Sequence, residues 1–142
     1  MTGAASWVYV ATPFAAWLVA GTLKFTINSL RAGRLAFGLI GYGGLPSNHG
    51  AIVASMASLI GLREGVAHPA FGVALTLAFI VVLDAASLRR QVGRQAQALN
   101  RLQAGDPNAL RLRERMGHTR IELAAGIVTG FVVAWLLNHF WP

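Results

Sequence analysis

The chain has 142 residues, enough for one domain; 55% of them are hydrophobic and only 12% charged, at a mean hydropathy of +0.54. A soluble domain carries about twice that charged fraction, so the composition excludes an ordinary soluble protein and points to an all-α, polytopic membrane bundle. Cysteine is absent, which excludes a disulfide framework and thiolate chemistry, and the net charge of +7 sits on arginines that flank apolar blocks. Membrane topology and anionic headgroups account for such a pattern better than nucleic acid does.

The first apolar block, about residues 4–23, is long enough to cross a bilayer. No basic segment precedes it, so it reads as a retained span rather than a cleaved signal, with a kink expected at Thr12-Pro13. Lys24 to Arg34 is basic and mixed. Leu35 to Gly44 is apolar but glycine-rich and reads as a loop dipping into the interface. Gly43 to Gly50 crowds Gly, Pro, hydroxyl, amide and imidazole into one stretch. Its plain reading is a loop in which Ser47 and Asn48 cap a helix starting near Gly50; its functional reading is a phosphate cradle holding an acid, His49.

A second, short span is expected over about 50–64, with small residues Ala51, Ser55 and Ser58 at helical spacing. A third covers about 69–88. Beyond it lies an amphipathic, arginine-rich stretch with Leu88, Val92, Leu99 and Leu102 on one face. Gly105-Asp106-Pro107 reads as a break, with a new helix running from Pro107 to Gly117. The fourth span, about 120–141, carries Gly126-x-x-x-Gly130, a close-packing signature that offers, with the small residues of the second span, a surface for a partner chain. The expected fold is thus about four spans plus a cytoplasmic amphipathic helical segment, 89–119.

With four spans, 11 of the 12 Lys and Arg residues fall on one side, and only Arg63 lies on the other. The positive-inside rule makes the crowded side cytoplasmic and places both termini outside. The same topology gathers Lys24, Arg31, His49, Asp84, Arg89, Arg90, His118 and Glu122 at the cytoplasmic ends of the spans, while His68 and His139 fall opposite. Ionisable residues at a membrane boundary are costly and mark functional sites. Each also has a plain reading. Lys24 and Arg31 suit topological flanks, Asp84 suits an ion pair with Arg89 or Arg90, Thr119-x-x-Glu122 is a capping box, and His118 follows a helix-ending glycine. No acids are spaced for a metal, and the two histidines lack a carboxylate cluster, so neither a metal nor another cofactor is expected. Several cations around two histidines suit a phosphate, with one ring attacking phosphorus and the other protonating the leaving oxygen.

These segments resemble the divergent branch of the type 2 phosphatidic acid phosphatase superfamily, related to vanadium-dependent haloperoxidases. The resemblance rests on Lys24-x6-Arg31, on Gly-Gly-Leu-Pro-Ser-Asn-His ending at His49, on the run from Asp84 through Arg89-Arg90 to Asn100, and on Gly117-His118-Thr119-Arg120-Ile121-Glu122. It implies a helical, metal-independent hydrolase of phosphate esters or anhydrides. Lys24, Arg31, Ser47 and Asn48 would bind phosphate, His49 would be the general acid, His118 the nucleophile forming a phosphohistidine, and Glu122 its orienting carboxylate. Ala32 stands where the superfamily's first motif ends in Pro, Asn48 where its second has Gly, and Leu112 where its third has Arg. Arg89 or Arg90, from the segment opened by Asp84, is the expected replacement cation, with Arg113 a further one. The implied substrate is a phospholipid such as phosphatidic acid, or a polyprenyl phosphate or pyrophosphate. The implied setting is a bacterial-type inner membrane with the site on the cytoplasmic side, among membrane lipids and, as a further partner, a second copy of the chain; no nucleic acid is expected. The competing reading is a non-catalytic membrane protein that binds lipid phosphate headgroups as a carrier or scaffold.

Overall fold

The computed structural model describes residues 3–37, 44–106 and 108–141. Among them the chain is all helix and turn, with no strand. The elements are α1 (Gly3–Ala32), α2 (Asn48–Arg63), α3 (Pro69–Leu83), a π-helical turn (Asp84–Leu88), α4 (Arg89–Leu102) and α5 (Arg120–Phe140).

Local chemistry sets the helix boundaries. Ser47 is the N-cap of α2, its hydroxyl accepting the Gly50 N–H at 3.3 Å. His68 caps α3 by accepting the Ala70 N–H through Nδ1, with Pro69 at the first helical position. Thr119 and Glu122 form the reciprocal box that opens α5. Within the apolar helices the hydroxyls of Thr12, Thr22, Thr26, Thr76 and Thr129 each donate to the carbonyl four residues back, which satisfies them without a partner helix.

Among the described residues three helices are long and apolar enough to cross a membrane: Trp7–Ala32, Pro69–Leu102 and Arg120–Phe140. The second is continuous through α3, the π turn and α4. At 16 residues α2 reaches about 24 Å, short of the ~30 Å hydrocarbon core. By length the expected second span is not among these three, and it forms a central helix packed against α1, α3 and α5. It runs beside α5 in the same direction. At one end the Ser47 N–H donates to the Glu122 carbonyl at 2.9 Å, and at the other Arg63 Nε donates to Asn138 Oδ1 at 3.1 Å. At that second end Tyr9 of α1 donates to the Glu64 carboxylate, and Arg63 also reaches the Trp141 carbonyl.

Small residues bring α2 and α5 together. A Cβ on Gly126 would lie 2.3 Å from the Ser47 carbonyl oxygen, and one on Gly130 would lie 2.3 Å from that of Ala51. The Gly126-x-x-x-Gly130 face expected to receive a partner chain is thus consumed inside the monomer. The modest core beside it is built of Ala16, Ala20, Ala51 and Val133, with Val8, Leu59 and Ala134 beyond.

The helix expected from Pro107 to Gly117 does not form. Residues 109–116 run without helical structure along α4 (Pro107 itself, like residues 38–43 of the expected interfacial loop, lies outside the described residues). The Asn100 side chain supplies what a helix would have: its Oδ1 accepts the Leu112 N–H and its Nδ2 donates to the Leu112 carbonyl, both at 2.8 Å. Gly93 makes the approach close enough, since a Cβ there would fall 2.4 Å from the Glu114 carbonyl oxygen.

Candidate active site

The end of the bundle opposite the Arg63 clasp holds a cavity of about 710 Å³. α1 contributes a wall from Trp17 through Leu18, Gly21, Thr22 and Phe25, with Lys24 and Asn28 at its polar end. The start of α2 brings Asn48 and His49, the start of α4 brings Arg89, and the returning segment brings Arg113, Met116, Gly117 and His118. Phe37 closes one side and packs on Phe25, their ring centroids 5.2 Å apart. Cations, amides and imidazoles therefore share one chamber with an aromatic and aliphatic wall.

The two histidines, 69 positions apart in sequence, meet edge to face with ring centroids 5.6 Å apart. Both ring nitrogens of His118, Nδ1 of His49 and Oδ1 of Asn48 are buried without a hydrogen-bond partner among the described residues. Buried polar atoms are nearly always paired, so four together mark a place where a polar ligand belongs. Burial pulls both imidazoles below the usual histidine range. For His49 the charges of Arg89 and then Lys24 act the same way, against Asp84; for His118 those of Lys24, His49 and Arg89 do, against Glu122. The shift favours the neutral form of both rings, and a neutral imidazole has a lone pair to attack with.

His118 is positioned from the π turn. Its N–H donates to the Ala85 carbonyl at 3.0 Å, and its own carbonyl accepts from Arg90 Nη2 at 3.4 Å. Gly117 makes this docking feasible: its φ is +88°, and a Cβ would meet the Arg90 nitrogen at 3.1 Å. The π turn also pairs residues five apart. The Arg89 N–H bonds back to the Asp84 carbonyl, and Arg89 Nε contacts Asp84 Oδ2 at 3.2 Å. Asp84 thus holds the guanidinium that lines the cavity, while Arg90 holds the backbone of His118. π turns occur often at functional sites.

Other expected residues stand elsewhere. Arg31 is exposed on the last turn of α1 and is not among the cavity-lining residues, although Lys24 is. Ser47 is fully buried behind the cavity, committed to the α2 cap and to contact with Gly126. Glu122 accepts the Thr119 N–H at 2.9 Å through Oε2, so its carboxylate serves the α5 cap and makes no bond to the His118 ring. Among the described residues no group of three or more His, Cys, Asp or Glu is placed to hold a metal.

Sequence reasoning missed Asn28, the aromatic wall and the π turn. Asn28 had a signal: it lies four residues after Lys24, on the same helical face. The α1 wall follows the same spacing through Leu18, Gly21, Thr22 and Phe25.

The uncharacterized membrane protein YuiD of Bacillus subtilis (strain 168) is 31% identical over 143 residues, covering 89% of this chain and 90% of the relative. No solved structure matches the chain. The model of the Divergent PAP2 family matches residues 6–133, which takes in every element that lines the cavity. By that match this membrane protein belongs to the Divergent PAP2 family.

Proposed function

We propose that the chain is a metal-independent phosphatase of a membrane lipid phosphate or pyrophosphate, working through a phosphohistidine on His118. The observation that carries this reading is the pair of touching imidazoles with unpartnered nitrogens, in one chamber with Lys24, Arg89 and an aromatic wall. The first-turn amides of α2 add the positive end of a helix dipole at Asn48 and His49. A phosphate headgroup matches the polar end, and an acyl or prenyl chain matches Trp17, Phe25 and Phe37.

In the first step a His118 nitrogen lone pair attacks phosphorus. The phosphorus–oxygen bond to the lipid breaks, and His49 gives its proton to the departing oxygen. Water then attacks the phosphohistidine, His49 takes the water proton, the phosphorus–nitrogen bond breaks, and inorganic phosphate leaves. His118 needs to be neutral to start, and its burial favours that form. His49 needs a proton, which the negative charge of the incoming phosphate favours. Rings in edge contact leave no room for a phosphoryl group on the line between them. Substrate binding therefore parts them. The Ala85–His118 backbone bond fixes where the His118 main chain stays as its ring turns.

In a bacterial-type inner membrane the arginine distribution favours a cytoplasmic site. The test is phosphate release by purified protein from a panel of lipid phosphates and pyrophosphates with chelator present. Wild type should release phosphate, Lys24→Ala should be strongly impaired, Arg31→Ala should stay within a few-fold of wild type, and His118→Ala should be inactive. Equal release by wild type and His118→Ala overturns the mechanism. One observation favours a second reading, a non-catalytic binder of lipid phosphate: the Glu122 carboxylate is spent on the helix cap rather than on His118. Lipid retained by wild type and lost in Lys24→Ala, with no turnover of any panel member, would establish it.

A further inference from the structure

A neutral imidazole carries one N–H donor and one lone pair, on different nitrogens. His118 is 7% exposed, and among the described residues neither of its ring nitrogens has a partner. When its lone pair attacks phosphorus, its N–H still needs an acceptor. The need grows as the phosphorus–nitrogen bond forms, because the ring then carries a positive charge and donates more strongly. A phosphate bonded to one nitrogen does not reach the N–H on the other, since the two point in diverging directions from the ring. Two carboxylates stand near the histidines, and both are committed. Glu122 accepts the Thr119 N–H, and Asp84 holds Arg89.

Asn48 Oδ1 is the matching group. Apart from the imidazole nitrogens it is the one buried side-chain polar atom without a hydrogen bond among the described residues. It can only accept, and a phosphate dianion, an acceptor throughout, has nothing to give it. The carboxamide belongs to the first turn of α2 and lines the same cavity as His118. Its Nδ2 end lies beside Gly21 of α1, 3.6 Å from where a Cβ there would stand, while its Oδ1 end is sealed from solvent. The starts of α2 and α5 are docked together. The Ser47 N–H bonds to the Glu122 carbonyl, and a Cβ on Gly50 would lie 3.1 Å from the Leu123 carbonyl oxygen. His49 does not suit Asn48 as a partner. The two are successive residues of one helix, about 100° apart around its axis, and His49 needs its own proton for the leaving oxygen.

We propose that Asn48 is the positioning residue of the His118 ring: its Oδ1 accepts the N–H of the nitrogen that does not attack, which leaves the lone pair of the other nitrogen for phosphorus. The inference rests on the phosphohistidine reading of the site. The bond forms as the two rings part and that of His118 turns, and it fixes which tautomer faces the ligand. No proton passes to Asn48. In the first step the ring gains the phosphoryl group and a positive charge while keeping its N–H. When water breaks the phosphorus–nitrogen bond, the electron pair returns to the ring and the charge is gone. The amide oxygen, which stays neutral throughout, steadies that charge without repelling the incoming phosphate as a free carboxylate would. Asn48 thereby does for His118 what Glu122, held on the helix cap, does not.

Solid-state nitrogen NMR of protein labelled at its histidines, in lipid bilayers, reads the tautomer of each ring, and the signal lost in His118→Gln assigns that of His118. With saturating inorganic phosphate, wild type should hold His118 in one tautomer and Asn48→Ala should show a mixture. Asn48→Asp, whose ionised carboxylate keeps an acceptor in the same place, should restore the wild-type tautomer, and Glu122→Gln should leave it unchanged. Ser47 remains the cap in Asn48→Ala and an unpartnered polar atom is lost, so the thermal midpoint should equal or exceed that of wild type. On a lipid phosphate, kcat of Asn48→Ala should fall roughly 10- to 100-fold with KM within about two-fold. The same His118 tautomer in wild type and Asn48→Ala overturns the proposal, as does a tautomer that follows Glu122→Gln instead. An Asn48-dependent tautomer in a wild type that releases no phosphate from any lipid upholds the bond and overturns only the phosphatase reading.

Discussion

Replacing Gly126 or Gly130 by Ala tests whether the contact between α2 and α5 sets the geometry of the histidine pair. Each added Cβ would lie 2.3 Å from a carbonyl oxygen of α2, where ordinary contact begins at 3.4 Å. The obstacle is backbone, so no side chain can turn aside, and the helices must separate by about 1 Å. Overpacking of this kind costs up to ~3 kcal/mol, and Ala in place of Gly in a helix returns about 1 kcal/mol. The net is a loss of about 2 kcal/mol for either variant, or roughly 4–8 °C in thermal midpoint for a chain of this size. The two differ in function. Gly126 touches Ser47, two residues before His49, so Gly126→Ala moves His49 directly, while Gly130 lies one turn deeper, against Ala51 and Ser55. A displacement of about 1 Å at a reacting group costs on the order of 100-fold in rate. Gly126→Ala should lose about that much lipid phosphate turnover and Gly130→Ala about ten-fold, with Gly105→Ala, which meets open space, as control. Thermal midpoints matching the control in both variants would refute the packing argument. Full turnover by a destabilised Gly126→Ala would refute its link to the site.

Three further outcomes are expected. The lowered pKa of His49 and His118 means that, between their folded values and the usual one near 6.5, the unfolded chain holds more protons. Stability of the ligand-free protein should thus fall as pH drops from 7 through that window, by at most about 1.4 kcal/mol per pH unit for each ring; an acid-side slope unchanged in the His49→Gln/His118→Gln double variant would count against this. Gly117→Ala forces a side chain into φ +88° against Arg90, at about 1–2 kcal/mol, so kcat should fall with KM nearly constant, and a change in KM alone would contradict the positioning role. Asn100→Ala removes both bonds to the Leu112 backbone, a loss of about 1–2 kcal/mol, and should speed tryptic cleavage at Arg111 and Arg113 by roughly 5- to 30-fold; an unchanged cleavage rate would show that Asn100 does not hold the segment.

Apolar block length and capping chemistry made much of the architecture legible in the residues. Ser47, Thr119 and Glu122 cap the helices their types announce, and the two histidines share one cavity. What escaped is non-local. Asp106-Pro107 is a good local start signal, but Asn100 and Gly93 offer the segment after it a docking strip that no local pattern reveals. Gly126-x-x-x-Gly130 announces a close contact without saying whether the other helix is in the same chain. The π turn has no composition of its own and shows only in the backbone bond from the Arg89 N–H to the Asp84 carbonyl.

The clasp far from the cavity bears on how firmly the chamber wall stands. α1 is fastened near its start, where Tyr9 donates to Glu64 and lies under the Arg63 guanidinium, 5.9 Å from the ring centroid. Its other half, from Trp17 to Asn28, is the cavity wall, backed by the core in which Ala16 and Ala20 pack with Ala51 and Val133. Lys24 stands about 15 residues, some 22 Å along the axis, beyond Tyr9. The polar clasp and the packing of Ala16 and Ala20 thus hold α1, and with it the chamber wall, at two heights.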